Sequence, residues 1–279
     1  MFPSPRALLR RCLAPGLLTV VAGSLLAPVP MATAATVTPD TTTVGQAVSA
    51  MVQLLNKDRT DAGLVPVRTD PRLMAIAAAR SADMATKHYF SHTQPDGRNV
   101  FDILGANHVT WYNAGEIIAW NNYPMYLTTG TANAQWMASP GHHAIIVSTD
   151  FNYFGVGLAV DQSTGKKYWT AVFIKGPDRT PAVASSSRTL SAWSTPRTRT
   201  AKVSWAGFDP RLQVLTAGLR SFAVQVRTDG GAWRSVYSST TGRSWSFRAW
   251  QGHRYEIRVS ALDRAGNRGA WVTSAIDLR

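Results

Sequence analysis

The spacing of apolar residues changes once along this chain, and that change limits it to few architectures. Between residues 44 and 87 apolar side chains recur every three or four positions. Val48, Met51, Val52 and Leu55 form one stripe; Leu73, Ile76, Ala77 and Met84, with Arg80 on the same period, form another. That period is helical. Gly63 sits where the first helix would end, and Asp70-Pro71 is a helix start, with Asp as cap and Pro in the first turn. A short helix follows at 99–104, after the Pro95-Asp96-Gly97 turn. A strand is expected at 114–120 and a further helix at 131–138, stopped by Ser139-Pro140-Gly141. Extended runs at 155–160 and 168–174 flank a loop containing Gly165 and read as a hairpin. Helices first and a hairpin last predict an α+β domain over 44–176, with helices packed on an antiparallel sheet.

Beyond residue 200 the period is two. Val203-Ser204-Trp205, Phe222-Ala223-Val224-Gln225-Val226, Trp245-Ser246-Phe247 and Tyr255 to Ser260 each set apolar residues two apart. Asp229-Gly230-Gly231 and Gly266-Asn267 supply turns between such runs. This spacing predicts a β-sandwich over 200–279. Residues 177–199 are rich in Pro, Ser, Thr and Arg and read as a linker.

Neither part can lean on disulfides. Cys12 is the only cysteine, and it lies in a segment with the marks of an export signal. Arg6, Arg10 and Arg11 come first, then an apolar stretch at 13–26, then Ala32-Thr33-Ala34. The stretch is short for a bilayer span of about 20 residues. A signal peptide at 1–35 and a loose leader at 36–43 are therefore expected. The mature protein would be secreted or associated with the cell envelope, would have no membrane span, and would rely on core burial alone. Thiol redox chemistry and cysteine nucleophiles are excluded from it.

Charge divides along the chain. Residues 35–184 hold 11 basic and 11 acidic side chains, whereas residues 185–279 hold 15 basic and 5 acidic. Fourteen of those 15 are arginine. The basic half suits an anionic cell-wall polymer or anionic lipid, although an arginine-rich composition alone would give the same count. Nucleic acid is disfavoured, since no recognisable binding motif accompanies the charge.

Glu116 stands out in the first half. It is the only glutamate in residues 35–184 and sits in the apolar run Ile117-Ile118-Ala119-Trp120. A carboxylate buried there without a partner would cost several kcal/mol. A cation, a histidine or backbone donors must meet it.

Several stretches in order carry a resemblance: 55–59 leading to Ala62-Gly63-Leu64; Tyr89-Phe90-Ser91-His92-Thr93-Gln94-Pro95-Asp96-Gly97; Gly115-Glu116-Ile117-Ile118-Ala119; Trp136 to His142; Phe154-Gly155-Val156-Gly157; and Tyr168-Trp169. Together they resemble the CAP (cysteine-rich secretory / antigen 5 / pathogenesis-related) superfamily in its bacterial, SCP-like extracellular form. The resemblance implies an α-β-α sandwich whose cleft holds His92, Glu116 and His142, a set able to bind Zn²⁺ or another divalent metal. The family's second glutamate has no match here, and Ile117 replaces the Asn that follows the first. The residues alone leave two arrangements open, a metal site and a hydrogen-bonded network closed on itself.

The second half resembles a fibronectin type III module through Val203-Ser204-Trp205, Phe222 to Arg227 and Tyr255 to Asn267. The resemblance implies an all-β Ig/fibronectin III-like sandwich with Tyr255 in a tyrosine corner, its hydroxyl bonded back to the backbone.

No nucleophile elbow is present. If Glu116 ligates a metal, no second glutamate remains as general base. The sequence thus favours a non-catalytic binding or adhesion protein over the alternative, a metal-dependent hydrolase of peptide, lipid or cell-wall material. Trp120, Asn121 and Tyr123 are candidates to line a ligand groove for lipid or sugar; the competing expectation is that such aromatics are core.

Overall fold

The computed structural model describes residues 40–279. The expected signal peptide and all but the last residues of the leader lie outside the described residues. The chain is α+β, with helices and a mixed sheet in the first lobe and strands alone in the second.

Helix α1 (Val44–Asp61) starts from a capping box in which Thr43 and Gln46 satisfy each other's backbone N–H. Strand β1 (Arg68–Thr69) is brief. Helix α2 (Pro71–Lys87) begins as the sequence predicts, with the Asp70 side chain accepting from the Arg72 N–H. Helix α3 (Val100–Ala106) is capped by Asn99 and leads to strand β2 (Asn113–Asn121). Helix α4 (Met125–Ala138) starts a turn and a half before the expected position. Helix α5 (Pro140–Ile146) was not foreseen. Pro140 ends one helix and opens the next, because a proline in a first turn forfeits no hydrogen bond. Strands β3 (Tyr153–Val160) and β4 (Lys167–Lys175) form the expected hairpin.

The first-lobe sheet has the order β1-β3-β4-β2, with β1 parallel to β3 and the other pairs antiparallel. Helices α1, α4 and α5 bury Met51, Leu55, Trp136 and Ile146 against Ile117, Phe154, Trp169 and Phe173. Helices α2 and α3 bury Leu73, Ile76, Val100 and Leu104 against Tyr153, Val172 and Ile174 on the opposite face. Alternate residues of β4 thus serve different helices, as a two-sided strand requires. Helix α2 lies almost on the β3 backbone. A Cβ at Gly155 would stand 2.0 Å from the Leu73 carbonyl carbon, and one at Gly157 would stand 2.2 Å from that of Ala77. Arg59 of α1 is fully buried and donates to the carbonyls of Ile146, the last residue of α5, and Ser148 just beyond it. Burial lowers its pKa to about 10.

The second lobe contains β5 (Val183–Thr195), β6 (Thr198–Phe208), β7 (Leu219–Thr228), β8 (Arg234–Thr240), β9 (Ser244–Trp250), β10 (Arg254–Asp263) and β11 (Val272–Asp277). They make two antiparallel sheets, β5-β6-β9 and β11-β10-β7-β8. Val203 and Trp205 of one sheet meet Val224, Ile257 and Val259 of the other in a shared core. The Tyr255 hydroxyl accepts from the Trp250 N–H at 3.1 Å.

Residues 177–199 are not a loose linker. Most of that stretch is β5, paired with β6 from Val183 to Thr195. Most of its side chains face water, so a Ser/Thr-rich edge strand mimics linker composition and hides its alternation. Just before it, Arg179 pairs with Asp70 at 3.1 Å and donates to the Thr110 carbonyl. From the segment joining β6 to β7, Leu212 is buried in the cluster that contains Leu73, Leu104 and Tyr153, and Gln213 accepts from the Val65 N–H at 2.7 Å. The two lobes therefore pack directly, and residues 40–279 make one compact unit.

Candidate functional site

The β2 strand places Glu116 on the face covered by α2, and Arg80 of that helix meets it. Arg80 Nε donates to Glu116 Oε1 at 2.9 Å, with side-chain exposures of 1% and 3%. Its other nitrogens donate to the Tyr89 hydroxyl and to the Ser91 and His92 carbonyls. Burial works to lower the Arg80 pKa, but the bond and charge of Glu116, aided by Tyr89, raise it overall. Tyr89, which also donates to Asp83, is pushed up to about 12 by burial and then by that carboxylate. Arg80 thus ties the Tyr89–His92 segment to β2.

His92 Nδ1 lies 2.8 Å from Glu116 Oε2, the arrangement of an N–H donating to a carboxylate, and its ring is half exposed. Both oxygens of Glu116 are therefore engaged. His142, in the first turn of α5, has its pKa lowered by partial burial and then by the nearby charge of His92. Two shallow cavities run along β2. One, of about 320 Å³, is lined by His92, Phe101, Gly115, Glu116 and Ile145. The other, of about 230 Å³, is lined by Phe90, Ile118, Trp120, Trp136 and His142. Strand β2 is the last of its sheet, pairing with β4 alone, so the cavities follow an open edge. A larger cavity of about 520 Å³ lies at the junction of the lobes, between Val65, Tyr153, Arg179 and Arg211, and includes none of these site residues.

Residues 52–173 match the family model CAP, described as the cysteine-rich secretory protein family. The chain carries a CAP domain. The uncharacterized protein YkwD of Bacillus subtilis (strain 168) is 34% identical over 141 residues, which is 49% of this chain and 52% of that protein. The uncharacterized membrane protein YlbC of the same organism is 32% identical over 125 residues, 45% of this chain and 33% of that protein. The chain thus matches about half the length of the first relative and a third of the second. A crystal structure of an extracellular protein containing an SCP domain from Bacillus anthracis str. Ames is similar at 27% identity. The match covers 47% of this chain and 41% of that one, with a TM-score of 0.42.

Within the CAP domain, His92 and Glu116 meet, whereas His142 does not complete a ligand set with them. Among the described residues, donor atoms of three acidic, histidine or cysteine side chains converge within 4.8 Å only at Asp178, Asp209 and Asp263, near the lobe junction. A divalent ion on Glu116 would sit beside the Arg80 guanidinium, or would have to displace Arg80 or His92 from the carboxylate. As it stands, Glu116 is taken by Arg80 and His92, and His142 lies outside that pair.

The groove candidates separate. Trp120 is 40% exposed and lines the second cavity, with Lys166 Nζ over its ring at 4.7 Å. Asn121 is buried: its amide donates to the Thr128 carbonyl and its oxygen accepts from the Thr128 hydroxyl, which also accepts from Trp169 Nε1. That side chain holds the turn into α4 and offers nothing to a groove. Tyr123, 51% exposed, lines neither cavity of the CAP cleft. The residue that sequence reasoning missed is Arg80. Its position on the apolar stripe of α2 was the available signal, since an arginine facing a core needs a carboxylate or carbonyls there.

Proposed function

We propose that this is an exported binding protein whose CAP domain works without a metal, taking its ligand in the cleft along β2. The observation that carries this is the double engagement of Glu116 by Arg80 and His92. A carboxylate whose two oxygens already accept from a guanidinium and an imidazole has little left to offer a metal or a substrate proton. The cleft instead offers Phe90, Trp120 and Ile118 as apolar contacts, and the imidazoles of His92 and His142 as polar ones. Trp136 lines the second cavity, and its buried Nε1–H has no partner among the described residues. An amphipathic molecule, lipid-like or sugar-like, fits this mixture.

The export reading rests on the basic, apolar and small-residue sequence of the first 35 residues. The second lobe is read as a fibronectin type III-like module, supported by its three-plus-four strand arrangement and the Tyr255 tie to Trp250. Its role would be attachment and spacing. With helices on both faces of its sheet, the first lobe agrees with the α-β-α sandwich that the resemblance implies.

Calorimetric titration of the full chain with Zn²⁺ tests the metal-free reading. No stoichiometric binding tighter than about 1 mM is expected. One equivalent bound below about 1 μM, and lost in His142→Ala, would restore the metal-dependent hydrolase. A lipid and oligosaccharide panel tests the cleft, and Trp120→Ala should weaken any ligand found; unchanged affinity would remove the groove.

A further inference from the structure

We infer that the outer face of the β5-β6-β9 sheet is a docking surface for a phosphodiester-linked polyol or sugar polymer of the cell envelope. This stands apart from whatever the CAP cleft binds.

The three strands contain Arg188, Arg199, Lys202 and Arg248 and not one Asp or Glu. Register places Lys202 opposite Ser246 and Thr200 opposite Arg248. Their partners' alternation sends Ala201 and Val203 into the core, so Lys202 and Arg248 share the outward face. They are diagonal neighbours, about 7–8 Å apart. Trp250 is the next outward residue on β9, opposite Thr198, and is 48% exposed. The turn between β5 and β6 sets Arg197 beside it. A cavity of about 340 Å³ is formed there by Thr195, Pro196, Arg197, Thr198, Arg248 and Trp250.

Among the described residues, Arg197, Lys202 and Arg248 make no ion pair. On the opposite sheet Arg227 and Arg254 are paired with Glu256 or Asp277 and Arg258 is held by Gln225 between Trp233 and Trp271, while Arg220 and Arg234 are unpaired among the described residues. Basic charge is common to the whole lobe, but only the β5-β6-β9 sheet lacks acidic residues altogether, and only here, among the described residues, do unpaired cations border a cavity with an exposed indole. Three cations in a row create a potential that an anion array lowers. Between them the face is hydroxyl-bearing, with Ser187 and Thr189 of β5, Thr200 and Ser204 of β6, and Ser246 of β9. Those hydroxyls suit the alcohol groups of a polyol or sugar, and Trp250 supplies one ring against which a sugar can lie. A single-stranded nucleic acid would want several stacking rings along its path. A repeating phosphodiester with hydroxylated spacers matches both the charge and its intervals.

The test uses the full chain and immobilised poly(glycerol phosphate). Binding should weaken about 100-fold between 50 and 500 mM salt, as release of counterions from three phosphates requires. The exposed pair Lys202→Glu/Arg248→Glu should lose at least about 30-fold, and Trp250→Ala about 5-fold or more. Arg220→Glu/Arg234→Glu removes the same charge from exposed positions on the other sheet and should change affinity less than about 3-fold. Circular dichroism checks that each variant is folded. Equal losses in both double variants would overturn the site in favour of net charge alone. Salt-independent binding, equally tight binding to neutral glucan, or preference for phosphatidylglycerol vesicles or single-stranded DNA would each overturn the proposed partner.

Discussion

Arg80 and Glu116 form an ion pair sealed between α2 and β2, and the same guanidinium carries the carbonyls of Ser91 and His92. One side chain therefore supplies the counter-charge to Glu116 and holds the backbone that carries the imidazole of His92. Removing one member leaves a buried charge alone, whereas replacing both with apolar residues removes the problem together with the pair.

Arg80→Met should accordingly cost about 3–5 kcal/mol. Arg80→Leu/Glu116→Leu should recover most of that loss, and urea unfolding of the three proteins measures it. A double variant as unstable as the single one would mean that the carbonyl bonds of Arg80, rather than its charge, hold this region.

Stability should fall on mild acidification through His142. Its pKa is lowered in the folded protein, so the unfolded chain takes up the proton first. The contribution is complete above the ordinary histidine value of about 6.5. It declines as pH drops from there toward the lower folded value, and then levels off. Thermal midpoints from pH 8 to 5 should show this decline, and His142→Gln should flatten it. An identical profile in the variant would assign the slope to other groups.

Helix α2 and strand β3 touch through glycine, which makes Gly157→Ala a severe change. The added methyl would overlap the Ala77 backbone, and the helix must lift off the sheet. We expect a loss of at least about 3 kcal/mol in unfolding free energy. Gly105→Ala is the control, because it lies in α3 with open space around it and should be neutral or gain up to about 1 kcal/mol. Similar midpoints for the two variants would show that the layers tolerate separation.

The elements that could be read from sequence were those governed by local chemistry. Asp70-Pro71 opened α2, Gly165 marked the β3–β4 hairpin, and the period of two placed Val203, Trp205, Val224, Ile257 and Val259 in the second core. What escaped was set by tertiary contacts and by position in the fold rather than by local pattern. Arg80 gave no local sign that its carboxylate lay 36 positions onward. Asn121 looked like a groove residue because its polar side chain follows an aromatic, yet Thr128 draws it inward. The stretch 183–195 lacked a visible apolar face because, as an edge strand, most of it needs none. His92 was drawn to Glu116 as the need for a partner suggested, but the arginine already there changes what that meeting can do.

Leu212 comes from a segment between two strands of one lobe and finishes the packing of the other. A hinge at this point would have to expose that leucine and break the Val65–Gln213 bond. The second lobe consequently acts as a stiff bracket. Whatever surface it grips, the groove beside His92 turns with it, because Leu212 and the Val65–Gln213 bond tie the two lobes together.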